Sequence, residues 1–300
     1  MIMEGWIVYS HVTLQKNTGN HAFEWMEKAA REAGLSARII FWEELEISIG
    51  TQVQIRYQNR QLELPTFVLI RGYYFELSYL LEQLGVIVFN TNESMRLTRN
   101  KWFTHVALHQ AGLPQPLTLI RRRSVARFDQ LATELGSPFV AKGLLGSGGD
   151  QVALIHNADE LANFLKEERD EVLFQEFIAE SAGRDIRVHV IGRRAVVGIE
   201  RIGREGDFRS NFSLGGGARP FELTEEAERL SVLAAQTLGL DIAGVDLLFS
   251  DRGLLVCEVN ANAAFRTVAM HTSISIPHEI FAHIRHVLDG RNSEIGGRNS

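Results

Sequence analysis

Apolar and polar positions fall into short β-like runs separated by stretches of helical spacing. The first run is Trp6-Ile7-Val8-Tyr9, apolar and β-rich. Over residues 21–33 the spacing becomes helical: Ala22, Trp25, Met26, Ala29 and Ala30 fall at i, i+3, i+4, i+7 and i+8, and Gly34 stands where a helix stops. Residues 37–41 then read as a second strand. Strand, helix and strand in so short a span predict a parallel βαβ unit. Further β runs at 66–70 and 86–89 flank a helix at 75–84. Residues 1–95 therefore read as a small parallel α/β domain.

Beyond residue 95 the pattern changes. A helix over 98–111 is stopped by Gly112-Leu113-Pro114-Gln115-Pro116, where two prolines enforce extended chain. A helix at 125–135, a strand at 139–142, a glycine cluster, a strand at 151–155, a helix at 158–168 and a strand at 172–177 follow. A hairpin is predicted for 185–191 and 195–201 across Gly192-Arg193-Arg194. A long helix at 225–238 precedes two strands, 242–249 and 253–259, joined by Ser250-Asp251-Arg252. A final helix covers 276–288, and the polar, Gly/Asn/Ser-rich residues 291–300 read as a flexible tail. No internal repeat is visible.

Composition narrows the function classes. The 300 residues are 45% hydrophobic and 23% charged, with 31 basic and 37 acidic side chains and a net charge of −6. That is globular chemistry without the positive field of a general nucleic-acid or membrane-surface binder. The single cysteine, Cys257, excludes an intrachain disulfide and a Cys-rich zinc site. The start of the chain, Met1 to Trp6, carries an acid where a secretory leader needs bases, and no run approaches a membrane span. A soluble, cytoplasmic protein is expected.

Four features carry candidate chemistry. In Lys142-Gly143-Leu144-Leu145-Gly146-Ser147-Gly148-Gly149-Asp150, glycines between two strands either let backbone N–H groups converge on an anion or form a flexible hairpin. Lys142 tips the balance toward phosphate. Second, Asp246 lies on one predicted strand, and Glu258 and Asn260 lie two apart on the next. Two carboxylates and an amide oxygen suit Mg²⁺ held together with nucleotide phosphates. By the same alternation Cys257 should face away and be inert. Third, Phe174-Gln175-Glu176-Phe177-Ile178 offers apolar walls and a backbone edge for a flat base. Fourth, Arg201 and Arg209, near Phe208-Arg209-Ser210-Asn211, are candidates to neutralise a transferring phosphoryl group. His278 and His283 at i, i+5 diverge too far to share a metal, and His105 and His109 read as surface or core histidines.

In order, these motifs resemble the ATP-grasp superfamily, and within it the RimK-like α-L-glutamate ligases. The resemblance covers residues 90–284 and rests on Asn90-Thr91, Asn100-Lys101, the 142–149 cluster, 175–178, Gly183-Arg184-Asp185-Ile186-Arg187, Arg209-Ser210-Asn211, Gly244-Val245-Asp246 and Glu258-Val259-Asn260. It implies an α/β (α+β grasp) architecture in which an N-terminal domain, 1–95, precedes two α+β subdomains clasping ATP. These would be a central one, 96–180, with the glycine-rich loop, and a C-terminal one, 181–290, with the metal site. It implies that Lys101, Lys142 and the loop residues Gly146, Ser147, Gly148 and Gly149 contact ATP phosphates. Glu176 and Phe177 would hold adenine, Asp185 would sit near the ribose, and Arg209 and Ser210 would line the nucleotide site. Asn211 would line the acyl-phosphate site beside them, and Arg187 and Arg201 are the candidates for the substrate carboxylate and the transferring phosphoryl group, the three forming the catalytic set. Asp246, Glu258 and Asn260 would bind two Mg²⁺ ions, with Mn²⁺ as a substitute.

The implied activity is ATP-dependent joining of a carboxylate to an amine through an acyl phosphate. The expected partners are an amino acid such as glutamate and a small-molecule, peptide or carrier-protein acceptor, with no nucleic acid and no membrane. A homo-oligomer, dimer or tetramer, is implied as well. A peptide-modifying or macrocyclising ligase and a nucleotide-binding regulatory module without turnover are the alternatives. Asn100 stands where the family usually has Asp, and residues 261–271 depart from the family's usual turn.

Overall fold

The computed structural model describes residues 3–12, 22–145, 151–168, 170–210 and 216–296. The chain divides into two compact units, 1–95 with 273–300, and 96–272.

The first unit is built on β1 (Glu4–Tyr9), β2 (Ser36–Phe41), β6 (Phe67–Ile70) and β7 (Ile87–Phe89), which form a parallel sheet in the order β2-β1-β6-β7. Parallel strands are covered on both faces and so read as continuous apolar runs. Here every residue from Trp6 to Tyr9 and from Phe67 to Ile70 is buried. The crossover helix α1 (Ala22–Glu32) turns Met26, Ala29 and Ala30 inward, while Trp25, expected in the same stripe, lies at its exposed margin. Helix α2 (Phe75–Gln83) seals the sheet with Leu77 and Leu81.

A small meander, β3 (Leu45–Ile49), β4 (Val53–Tyr57) and β5 (Arg60–Gln61), was not legible. Its second turn takes positive φ at Gln58 and Asn59, a conformation that glycine normally advertises and this sequence does not. Helices α3 (Asn92–Arg99) and α4 (Lys101–Gln110) replace the single helix expected over 98–111, because Asn100 interrupts it. The last helix, α9 (Ile276–Gly296), runs beyond the expected end at 288 into the stretch read as a tail. It packs on α1, with His278 on Glu32 and Arg285 on the Gly34 carbonyl, so it belongs to the first unit and not to the segment 181–290.

The second unit holds two antiparallel sheets. One contains β8 (Thr118–Arg122), β9 (Phe139–Gly143), β10 (Val152–Ile155) and β11 (Glu171–Glu176) in the order β10-β9-β11-β8. Alternation sends Phe139, Ala141, Val172 and Phe174 into a core with Leu131 of α5 (Phe128–Leu135) and Leu161 of α6 (Ala158–Glu167). The opposite face carries Val140, Lys142 and Gln175.

The other sheet comprises β12 (Arg184–Ile191), β13 (Arg194–Ile202), β14 (Gly217–Phe221), β15 (Ile242–Ser250) and β16 (Gly253–Asn260), ordered β14-β13-β12-β15-β16. The expected hairpins, β12–β13 and β15–β16, are both present. Strand β14 was not foreseen; it contains Pro220, which an edge strand tolerates. Helix α7 (Glu225–Thr237) starts on a Thr224 cap and buries Leu230, Ala234 and Ala235. A short helix, α8 (Arg266–His271), follows β16. Among the described residues, no helix is long and apolar enough to cross a membrane.

Candidate active site

Both sheets of the second unit contribute side chains to one cleft, where charged groups and aromatic rings converge. The four-stranded sheet supplies Val140, Lys142, Gln175 and Glu176. Lys101 reaches the cleft from the first turn of α4, whose start is fixed by Asn100: its Oδ1 accepts from Trp102 N at 3.0 Å and Phe103 N at 3.4 Å. Asparagine caps a helix as well as aspartate does, so the departure at residue 100 leaves Lys101 in place. The Lys101 backbone N–H donates to the Leu144 carbonyl at 3.0 Å, tying the helix start to the glycine-rich segment. Residues Gly146, Ser147, Gly148, Gly149 and Asn211, all predicted site positions, lie outside the described residues.

Lys142 is buried. Its Nζ donates to Gln175 Oε1 at 2.7 Å and lies 3.6 Å from Cys257 Sγ. Among the described residues no carboxylate forms an ion pair with it. Burial pushes the Lys101 ammonium below its ordinary range, Lys142 adds to that, and Glu258 opposes it.

The five-stranded sheet handles charge differently. Its register sets Asp185 opposite Arg201, Arg187 opposite Asp246, and Asp246 opposite Glu258. Asp246 is 4% exposed and receives a bidentate pair from Arg187, at 2.7 and 2.6 Å. Arg201 reaches the same carboxylate at 2.9 Å and also forms a bidentate pair with Asp185. Burial alone would raise the Asp246 carboxyl, but the two guanidinium charges outweigh it and hold it below the carboxylate range. Arg201 is the counterpart: burial opposes its charge, and Asp246 with Asp185 overcomes that and raises its pKa. The arginines that the sequence assigns to substrate and the acids that it assigns to metal and ribose are thus paired with one another in this conformation. Asn260 joins through Nδ2, 3.4 Å from Asp246 Oδ2. Arg187 and Asn260 touch this network without lining the cleft, whereas Asp185, Arg201, Asp246 and Glu258 line it.

One expectation is overturned. Cys257 does not face away; it lines the cleft beside Glu258. A β-bulge is responsible: Asp246 pairs with Glu258 and Leu247 with Val256, which leaves Cys257 as the extra residue and breaks the period-2 alternation. Burial raises its thiol pKa against the pull of Lys142, which favours the protonated thiol over the thiolate.

The far end is aromatic. Phe177 and Phe208 meet edge to face with centroids 6.3 Å apart. Glu176 lines the cleft, but its carboxylate accepts from Leu117 N and from Arg252 at 2.7 Å each. Arg209 and Ser210 line it too, with Arg209 held by Asp207 at 2.9–3.0 Å. Gly203 is required here, because a Cβ would lie 2.1 Å from the Arg209 carbonyl oxygen.

A RimK-like ATP-grasp domain model matches residues 98–284. The chain belongs to the RimK-like ATP-grasp family. It is 36% identical over 220 residues to a probable alpha-L-glutamate ligase of Enterobacter sp. (strain 638), covering 72% of this chain and 73% of that one. It is 30% identical over 297 residues to probable alpha-L-glutamate ligase 2 of Hahella chejuensis (strain KCTC 2396), covering 94% and 98%. The fold matches that of the ATP-grasp ligase PsnB complexed with minimal precursor, Mg and ADP, with a TM-score of 0.68 at 21% identity over 95% and 96% of the two chains. Membership makes this chain an ATP-grasp carboxylate–amine ligase, an enzyme that forms carbon–nitrogen bonds. Gln175 falls inside a motif read for the base, but its hold on Lys142 was not expected, and His105, read as a surface or core histidine, is buried behind it. A glutamine inside the apolar run Val172-Leu173-Phe174 was the available signal, since an uncompensated polar group in a buried strand is costly.

Proposed function

We propose that this protein uses ATP and Mg²⁺ to activate the carboxylate of one substrate and joins it to the amine of another, with an amino acid such as glutamate as one partner. The observation that carries this reading is the cleft itself, where a buried lysine without a carboxylate partner among the described residues faces a sheet bearing Asp246 and Glu258. Lys142 and Lys101 hold the phosphates, and Phe177, Phe208 and the backbone around Ile178 hold the base. Asp246, Glu258 and Asn260 carry the oxygen donors that Mg²⁺ prefers, and would hold it together with phosphate oxygens once Asp246 exchanges its arginine partners for the ion. Mg²⁺ there would neutralise charge on the phosphates.

A carboxylate is a poor electrophile because its leaving group is oxide. Its oxygen attacks the γ-phosphorus, the bond to the β–γ bridging oxygen breaks, and ADP leaves. The amine nitrogen then attacks the acyl carbon, phosphate leaves with the C–O electron pair, and the nitrogen sheds a proton. The protein's task is positioning and charge neutralisation. Arg187 and Arg201 supply cationic charge near Asp246 and are the candidates to meet the substrate carboxylate and the transferring group.

The names of the relatives support glutamate as the added amino acid, and the structure of PsnB complexed with its precursor peptide supports a peptide or protein acceptor as the second reading. The test is ADP release with ATP and Mg²⁺ across the twenty amino acids, alone, in pairs and with peptides, followed by product mass analysis. Glutamate-dependent release with the mass gain of an amide condensation is expected. Nucleotide binding with no stimulation by any acceptor supports a regulatory module instead.

A further inference from the structure

The phosphate-side lysine is attached to a buried chain of neutral groups whose hydrogen-bond directions can be deduced one after another. Gln115 Nε2 donates to the His105 backbone carbonyl at 3.0 Å, so its other amide atom, Oε1, is an acceptor. That oxygen lies 2.7 Å from His105 Nδ1, so Nδ1 carries the proton. In a neutral ring Nε2 is then a bare acceptor, and it faces Gln175 Nε2 at 3.3 Å. Thr118 repeats the constraint. Its hydroxyl donates to the Pro116 carbonyl at 2.9 Å, so its oxygen is free to accept from Gln175 Nε2, also at 2.9 Å. Both hydrogens of the Gln175 amide are committed away from the cleft. Its oxygen is left pointing at Lys142 Nζ, 2.7 Å away.

We propose that His105 is a positioning residue for Lys142: its unprotonated Nε2, with the Thr118 hydroxyl, fixes the amide orientation of Gln175, and Gln175 holds the ammonium in the nucleotide cleft. Reversing the amide would set NH₂ against the ammonium and oxygen against a lone pair, so the arrangement resists reversal at both ends. Burial pushes the His105 pKa down to about 4, with the Gln115 hydrogen bond opposing and the charges of Lys142 and Lys101 reinforcing, so the ring stays neutral at pH 7. A neutral tether leaves the lysine charge uncancelled, where a carboxylate in the place of Gln175 would have cancelled it. The inference rests on the reading of Lys142 as a phosphate ligand.

The test combines imidazole ¹⁵N NMR of the full chain with steady-state kinetics of ADP formation. The Nδ1–H tautomer of His105 is expected. His105→Leu should raise the KM for ATP about tenfold, the value of a charge-assisted hydrogen bond, with kcat changed far less. His105→Gln, which restores an acceptor near the Nε2 position, should recover most of the loss. Thr118→Val removes the other anchor while keeping its shape, and should shift KM in the same direction even if His105→Leu does not fold. A Nε2–H tautomer, or an unchanged KM in His105→Leu and Thr118→Val, overturns the inference. Lys142→Met, measured alongside, separates the two layers. If it weakens ATP use while the His105 and Thr118 variants do not, only the positioning role fails. If it leaves the KM for ATP unchanged, the phosphate reading and the positioning role fail together.

Discussion

The two sheets that build the cleft bury charge in opposite ways. On the four-stranded sheet, Lys142 is tethered by neutral groups, Gln175 and beyond it His105 and Thr118. On the five-stranded sheet, Asp185, Arg187, Arg201 and Asp246 cancel one another across three adjacent strands. An ion with neutral tethers keeps its field for a ligand. An internally paired network spends its field on itself and releases charge only when a pairing changes. The difference separates the cation set aside for phosphate from the charges that must rearrange around the reacting groups.

The comparison breaks most visibly in activity. Lys142→Met and Asp246→Asn should each lower ADP formation by about 10²–10³-fold, the scale for removing one electrostatic contact to a reacting phosphoryl group. Their stabilities should then part. Asp246→Asn leaves the buried Arg201 and the partly buried Arg187 short of a counter-charge and should cost about 3 kcal/mol. Lys142→Met removes an ion that was costly to bury and should change stability by about 1 kcal/mol or less. Denaturant titration of both variants measures the contrast, and equal losses would erase it.

Acid sharpens it further. His105 has a folded pKa below its unfolded value, so the unfolded chain binds more protons between pH 6.5 and about 4. Stability contributed by the neutral ring is complete above that window and is lost as pH falls through it, by about 3 kcal/mol if fully expressed. His105→Leu should flatten this part of the profile. Loss from Asp246, whose carboxyl is depressed, belongs to lower pH and should persist in that variant. Smaller still, Asn100→Ala should cost about 1 kcal/mol through loss of the α4 cap. Arg252→Ala, at the half-exposed pair with Glu176, should cost less than about 1 kcal/mol and diminish further with salt.

Sequence pattern revealed the elements whose signal is local. The parallel βαβ start, the β12–β13 and β15–β16 hairpins and the juxtaposition of Asp246 with Glu258 all followed from apolar periodicity and short connections. What escaped depended on register or on distant partners. The bulge that turns Cys257 into the cleft is a one-residue slip that alternation cannot express. The role of His105 depends on Gln175, seventy positions away in the chain. The mutual pairing of Arg201 with Asp185 and Asp246 follows from which strands are neighbours, and composition carries no trace of it. The final helix, read as closing the last segment, joins the first compact unit through His278 and Glu32, another contact invisible to local pattern.

The most direct test of the contrast between the sheets is calorimetric titration of ADP with Mg²⁺ into the wild-type protein and into Lys142→Met. Weakening of at least about tenfold, with thermal stability nearly unchanged, is expected if Lys142 is a charge reserved for phosphate. Equal affinity in the two proteins, or weakening that appears only together with unfolding, would contradict that assignment.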